Sequence, residues 1–119
     1  MTETAGIQAV KTTEDLDELL VRCESAPVMV LKHSTRCPIS THAHQEFVEY
    51  APGAAERGVE CAVILVVEDR GVSLDLAERV GVRHQSPQAL LLRAGEVVWH
   101  DSHERVNALT LEQAERREG

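Results

Sequence analysis

Cysteine is scarce in this chain, at three in 119 residues. An odd number argues against a disulfide framework and for a reducing compartment, so a cytoplasmic protein is expected. No apolar run approaches the roughly 20 residues that cross a bilayer. The opening stretch, Met1 to Gly6, has neither the basic region nor the apolar stretch of a secretory signal. Positive charge is also in short supply. Twelve Lys and Arg face 20 Asp and Glu, a formal net charge of −8, which makes a nucleic-acid backbone an unsuitable partner. What is plentiful is apolar character, 43 % of residues, enough for a globular rather than a disordered chain. The length corresponds to one domain over residues 1–119. A chain of this size can bury roughly two-thirds of its unfolded surface in a core of its own.

Carboxylates are missing from two windows, Ser25 to Gln45 and Gly81 to Gly95. These windows hold Lys32, Arg36, Arg83 and Arg93, together with His33, His42, His44 and His84, four of the six histidines. Buried strands exclude charge of either sign, and each window contains a strand. The retained cations weigh against that explanation alone. If the windows meet in space, they form a positive spot that suits a thiolate or an anionic small ligand.

Elements alternate along the chain. Ile7 to Val10 reads as a short strand. Thr12-Thr13-Glu14-Asp15 has the form of a capping box, and Leu16, Leu19, Leu20 and Cys23 then repeat at helical spacing. Pro27 to Leu31 is a continuous apolar run, as in a strand buried on both faces. After a loop at Ser34 to Arg36, Pro38 suits the first turn of a helix that carries Ile39, Ala43 and Phe47 on one face and ends at Pro52-Gly53. Cys61 to Val67 is a further strand. Ser73 is placed to cap a helix through Val80, with Gly81 just past its end. Gln88 to Arg93 and Glu96 to His100 form a hairpin about Ala94-Gly95. Thr110 is placed to cap a last helix with a frayed end. The order β-α-β-α-β-α-β-β-α predicts an α/β fold with a mixed central sheet and helices on both faces.

The chemistry gathers at Cys37-Pro38-Ile39-Ser40. Cys37 falls where a buried strand gives way to a helix, so unpaired backbone N–H groups and the positive end of the helix dipole point at it. Both favour a thiolate over a thiol, and Arg36 adds a neighbouring cation. Cys37 is therefore the expected nucleophile. A cysteine before a proline is by itself a weak signal, and an inert buried thiol is the plain alternative. The junction, the acid-free window and Ser40 at the fourth position together favour the reactive reading. A hydroxyl at Ser40 can hydrogen-bond a thiolate three residues back but cannot form a disulfide with it. An outside thiol must then complete any exchange cycle.

The run Leu31-Lys32-His33-Ser34-Thr35-Arg36-Cys37-Pro38-Ile39-Ser40 resembles the active-site segment of the monothiol bacilliredoxins, thioredoxin-fold proteins of the bacillithiol system. His84-Gln85-Ser86-Pro87-Gln88-Ala89 is similar to that family's second loop, and Gly95-Glu96-Val97-Val98-Trp99-His100 to its hairpin. The likeness extends from about Lys11 to His103. It implies a thioredoxin-like fold and a thiol–disulfide oxidoreductase in which Cys37 takes bacillithiol from S-bacillithiolated proteins. Bacillithiol would be a co-substrate, with no bound cofactor. The resemblance further implies that Pro87 is a cis proline facing Cys37, with the backbone of Ser86 offered to an extended substrate. Arg36, Pro38, Ser86 and Pro87 make up the expected substrate-binding set.

The remaining candidates have plainer readings. Cys23 lies on an apolar helix stripe and Cys61 opens a buried strand, so both are expected in the core. His42 and His44 are two apart and diverge on a helix, which speaks against a zinc site formed with His33 and Cys37. His33 or His84 could orient a substrate carboxylate, and Trp99 is read as packing. A second function class is an iron–sulfur or redox-sensing module like the monothiol glutaredoxins. Pro38-Ile39-Ser40 departs from the Gly-Phe-Ser continuation of those cluster carriers. Protein substrates, the regenerating reductant and the oligomeric state are not written in the sequence.

Overall fold

The computed structural model describes residues 6–118. The expected strand and helix order is observed. Its elements are β1 (Ile7–Ala9), α1 (Thr13–Arg22), β2 (Val28–His33), α2 (Pro38–Glu56), β3 (Glu60–Leu65), α3 (Arg70–Val80), β4 (Gln88–Arg93), β5 (Glu96–Ser102) and α4 (Ala108–Glu118), with a 3₁₀ turn at His103–Arg105. The sheet order is β1-β3-β2-β4-β5. β1, β3 and β2 run parallel, and β4 and β5 join antiparallel.

Alternation along β2 sorts its side chains between two cores. Met29 and Leu31 face α2 and α4, packing with Phe47, Tyr50 and Leu111. Val28 and Val30 face α1 and α3, packing with Leu16, Leu19 and Leu76. The same alternation carries the last two residues of β2, Lys32 and His33, to opposite faces at one end of the sheet. Both are buried, Lys32 completely.

Local signals account for most boundaries. Thr12 caps α1 through the Asp15 N–H, and the Asp15 side chain accepts from the Thr12 N–H in return, the full capping box. Ala94 and Gly95 both take positive φ, 52° and 81°, which a two-residue hairpin turn requires. Three helix boundaries depart from the sequence expectation. α2 does not stop at Pro52-Gly53 but runs to Glu56. Burial of Ala51 and Ala54 against the sheet outweighs the one hydrogen bond that Pro52 forfeits. α3 starts at Arg70 after Asp69, and Ser73 is a buried residue inside the helix rather than its cap. Asn107, not Thr110, caps α4, its Oδ1 accepting the Thr110 N–H at 2.9 Å.

Candidate active site

Cys37 is the N-cap of α2, with extended backbone (φ −118°, ψ 124°), and Pro38 opens the helix. Proline is cheap there, because its missing N–H would have had no helical partner. The Cys37 thiol is free and partly exposed. Its carbonyl accepts the Thr41 N–H at 2.9 Å and the Thr41 hydroxyl at 3.1 Å, which fixes the first turn. That turn contains no acidic residue, so the helix carries no anion of its own at the positive end beside the sulfur. Arg36 is exposed and, among the described residues, forms no ion pair.

Ser40 is completely buried. Its Oγ accepts the Ser34 N–H at 2.8 Å and lies 2.8 Å from His33 Nδ1. The hydroxyl is thus engaged by the loop before Cys37 and by the end of β2, rather than by the Cys37 sulfur as the sequence reading allowed. It ties the first turn of α2 to the strand that precedes it. His33 in turn stacks on His44, with ring centroids 4.5 Å apart. Burial pushes the pKa of both imidazoles down, and each is a neutral packing partner at neutral pH. His42 is exposed on α2 and does not join them.

The Ser86–Pro87 peptide bond is cis, as the resemblance implied. Pro87 is buried immediately before β4, and its carbonyl accepts the His103 N–H at 2.9 Å, which ties the loop to the end of β5. Register places this loop at the Cys37 end of the sheet. Gln88, the residue after Pro87, pairs with Lys32, five residues before Cys37. The two carboxylate-free windows therefore do meet. They meet most directly where Lys32 Nζ lies 3.2 Å from His84 Nδ1. Arg93 is the exception, carried by β4 to the opposite end of the sheet. Lys32 is the residue that sequence reasoning missed. The available signal was a cation continuing the apolar run of β2.

The other two thiols lie at the opposite end. Cys61 pairs with Met29 in β3, four positions back from the Leu65 that pairs with His33. At about 3.3 Å per strand residue that is about 13 Å, well beyond the roughly 7 Å between Cα atoms that a disulfide spans. Burial, with a contribution from Glu115, pushes the Cys61 thiol up to about 12. Cys23 caps the C-terminus of α1 beside the hairpin turn, its carbonyl accepting the Ala94 N–H and its thiol donating to the Leu20 carbonyl. Burial raises its pKa too. Both are free thiols.

A family model described as "Monothiol bacilliredoxin BrxC" matches residues 8–111. A solved structure assigned as a candidate oxidoreductase with a thioredoxin fold is 32 % identical, covers 92 % of this chain and 94 % of its own, and superimposes with a TM-score of 0.80. Thioredoxin from Fasciola hepatica, at 18 % identity, covers 94 % and 99 % with a TM-score of 0.75. Thioredoxin from Trypanosoma brucei brucei, at 13 % identity, covers 98 % and 93 % with a TM-score of 0.76. The last two likenesses establish the thioredoxin fold, and the first two matches support a thiol redox role. With a lone reachable thiol on such a fold and 104 consecutive residues matched, the chain belongs to the monothiol bacilliredoxin family.

Proposed function

We propose that the protein is a monothiol oxidoreductase that removes bacillithiol from S-bacillithiolated proteins. The Cys37 thiolate attacks the bacillithiol sulfur of the mixed disulfide. A Cys37–bacillithiol disulfide forms, the protein–bacillithiol disulfide breaks, and the client leaves as a thiolate that takes a proton from water. A thiolate of an external thiol then attacks the bacillithiol sulfur, so that Cys37 leaves as its thiolate and bacillithiol departs in a disulfide with that thiol. Arg36 and Pro38 flank the incoming disulfide on one side. The backbone of Ser86 and the ring of Pro87 receive the extended client segment on the other. Ser40 keeps the loop in position without offering a second sulfur.

The observation that supports a one-thiol cycle best is the separation of the thiols: Cys37 is at one end of the sheet and Cys23 and Cys61 are at the other. The test is transfer from an S-bacillithiolated client followed by intact mass. The parent protein should gain one bacillithiol as the client loses one, and Cys37→Ser should gain none. A brown, cluster-bearing protein on anaerobic purification, with no transfer, would establish the iron–sulfur reading instead.

A further inference from the structure

Lys32 is hard to explain as structure alone. It sits at the end of the central strand with no exposed surface, and its side chain has one hydrogen-bond partner among the described residues, His84 Nδ1. Burying an ammonium with so little compensation is costly, and such groups cluster at functional sites. The geometry points to His84 as the binding residue for a hydrogen-bond acceptor, a carboxylate in particular, on the small-thiol half of the mixed disulfide, with Lys32 as its positioning residue. This rests on the thiol-exchange reading and adds a specificity element to it.

An ammonium can only donate. Held 3.2 Å from Nδ1, it requires a lone pair on that nitrogen, and so places the ring proton on Nε2. The Ser73 hydroxyl approaches the same nitrogen at 3.5 Å; able to donate or accept, it suits either tautomer and leaves the choice to Lys32. Burial, then the charges of Lys32 and Arg70, push the His84 pKa down, which keeps the ring neutral at neutral pH. The polar group left to a half-exposed His84 is thus a single N–H donor. It lies in the loop that carries the cis proline, two residues before Ser86. Gln88, across the strand from Lys32, donates through Nε2 to the Arg83 carbonyl at 3.0 Å and anchors the same loop. The charges that act on His84, those of Lys32 and Arg70, are both positive, and Arg70 forms no ion pair among the described residues, so the local field favours an anion. The nearby Glu68 is turned to the Thr35 hydroxyl, 3.3 Å away.

The test uses one carrier protein loaded with either of two short thiols, 3-mercaptopropionate, which bears a carboxylate, or 2-mercaptoethanol, which bears a neutral hydroxyl in its place. Neither contains bacillithiol, so failure of the bacillithiol assignment leaves the test intact. The parent should take up mercaptopropionate faster than mercaptoethanol. His84→Leu should slow the first transfer about tenfold, the scale of one hydrogen bond to a charged group, and leave the second within about twofold. His84→Gln, which keeps an N–H donor, should recover part of the loss, and Lys32→Met should behave like His84→Leu. Equal losses on both carriers would reveal a merely structural role and overturn the inference, as would no preference in the parent. A parent inert to both carriers would instead refute thiol exchange itself. Long-range ¹H–¹⁵N spectra of the unmutated protein give an independent readout. His84 should carry its proton on Nε2, and a proton on Nδ1 would overturn the proposed positioning by Lys32.

Discussion

Replacing Lys32 by Met keeps the length of the side chain and removes its charge. Burial pushes the Lys32 ammonium down to about 8, whereas an unfolded lysine titrates near 10.4. At about 1.4 kcal/mol per pH unit, that depression corresponds to a penalty of about 3 kcal/mol against the charged form in the folded state. Below about pH 8 both states hold the proton and the penalty is complete. Between about pH 8 and pH 10.4 the unfolded chain binds more protons than the folded one, so parent stability rises with pH across that window. Lys32→Met has no such group, and the Ser73 hydroxyl remains to serve His84 Nδ1. The variant should therefore be more stable than the parent by about 1–3 kcal/mol at pH 7, and the gap should shrink towards pH 10. Urea unfolding of both proteins, in reductant, at pH 7, 8, 9 and 10 measures it, and taking the difference cancels the titrations they share. A variant less stable than the parent by the same amount at every pH would refute the reasoning. A stabilised but less selective variant would show that this chain gives up stability at its site.

Ser40→Ala strands the Ser34 N–H and His33 Nδ1, so thermal unfolding should fall by about 8–12 °C, the equivalent of about 2–3 kcal/mol; a change within 2 °C would show that the hydroxyl is not needed. At neutral pH an alkylating reagent should modify Cys37 at least tenfold faster than Cys23 or Cys61, as peptide mapping over time would reveal. Glu115 accepts from Tyr50 at 2.8 Å and pairs with Arg57. Burial alone would raise its pKa, but the Arg57 and Tyr50 hydrogen bonds together bring it below the ordinary value. Its contribution is therefore present above the unfolded carboxylate pKa and lost as pH falls through the folded one. Glu115→Gln should destabilise at pH 7, and the difference from the parent should narrow on acidification below about pH 4.5; a constant difference would refute the ion-pair assignment.

The elements with strong local punctuation were legible from sequence. The capping box at Thr12, Pro38 at the head of α2, and the Ala94-Gly95 turn each act within four residues, and each forms as read. Boundaries set by distant burial were not legible. Pro52 reads as a stop, yet Ala51 and Ala54 hold the helix against the sheet beyond it. The site divides in the same way. Cys37 at a strand-to-helix junction was visible, and the family likeness supplied Pro87. Proximity along the chain allows the Ser40 hydroxyl to reach the sulfur three residues away, whereas the fold brings the end of β2 against it. Lys32 and His84 are 52 residues apart. Only the antiparallel pairing of β2 with β4 puts them together, and no local pattern encodes that pairing.

The most direct measurement is the intact mass and peptide map of the native protein after equimolar mixing with bacillithiol disulfide. One bacillithiol per chain, confined to the peptide bearing Cys37, is the predicted result. An internal disulfide that engages Cys23 or Cys61, or no adduct while Cys37 stays free, would contradict a one-thiol mechanism.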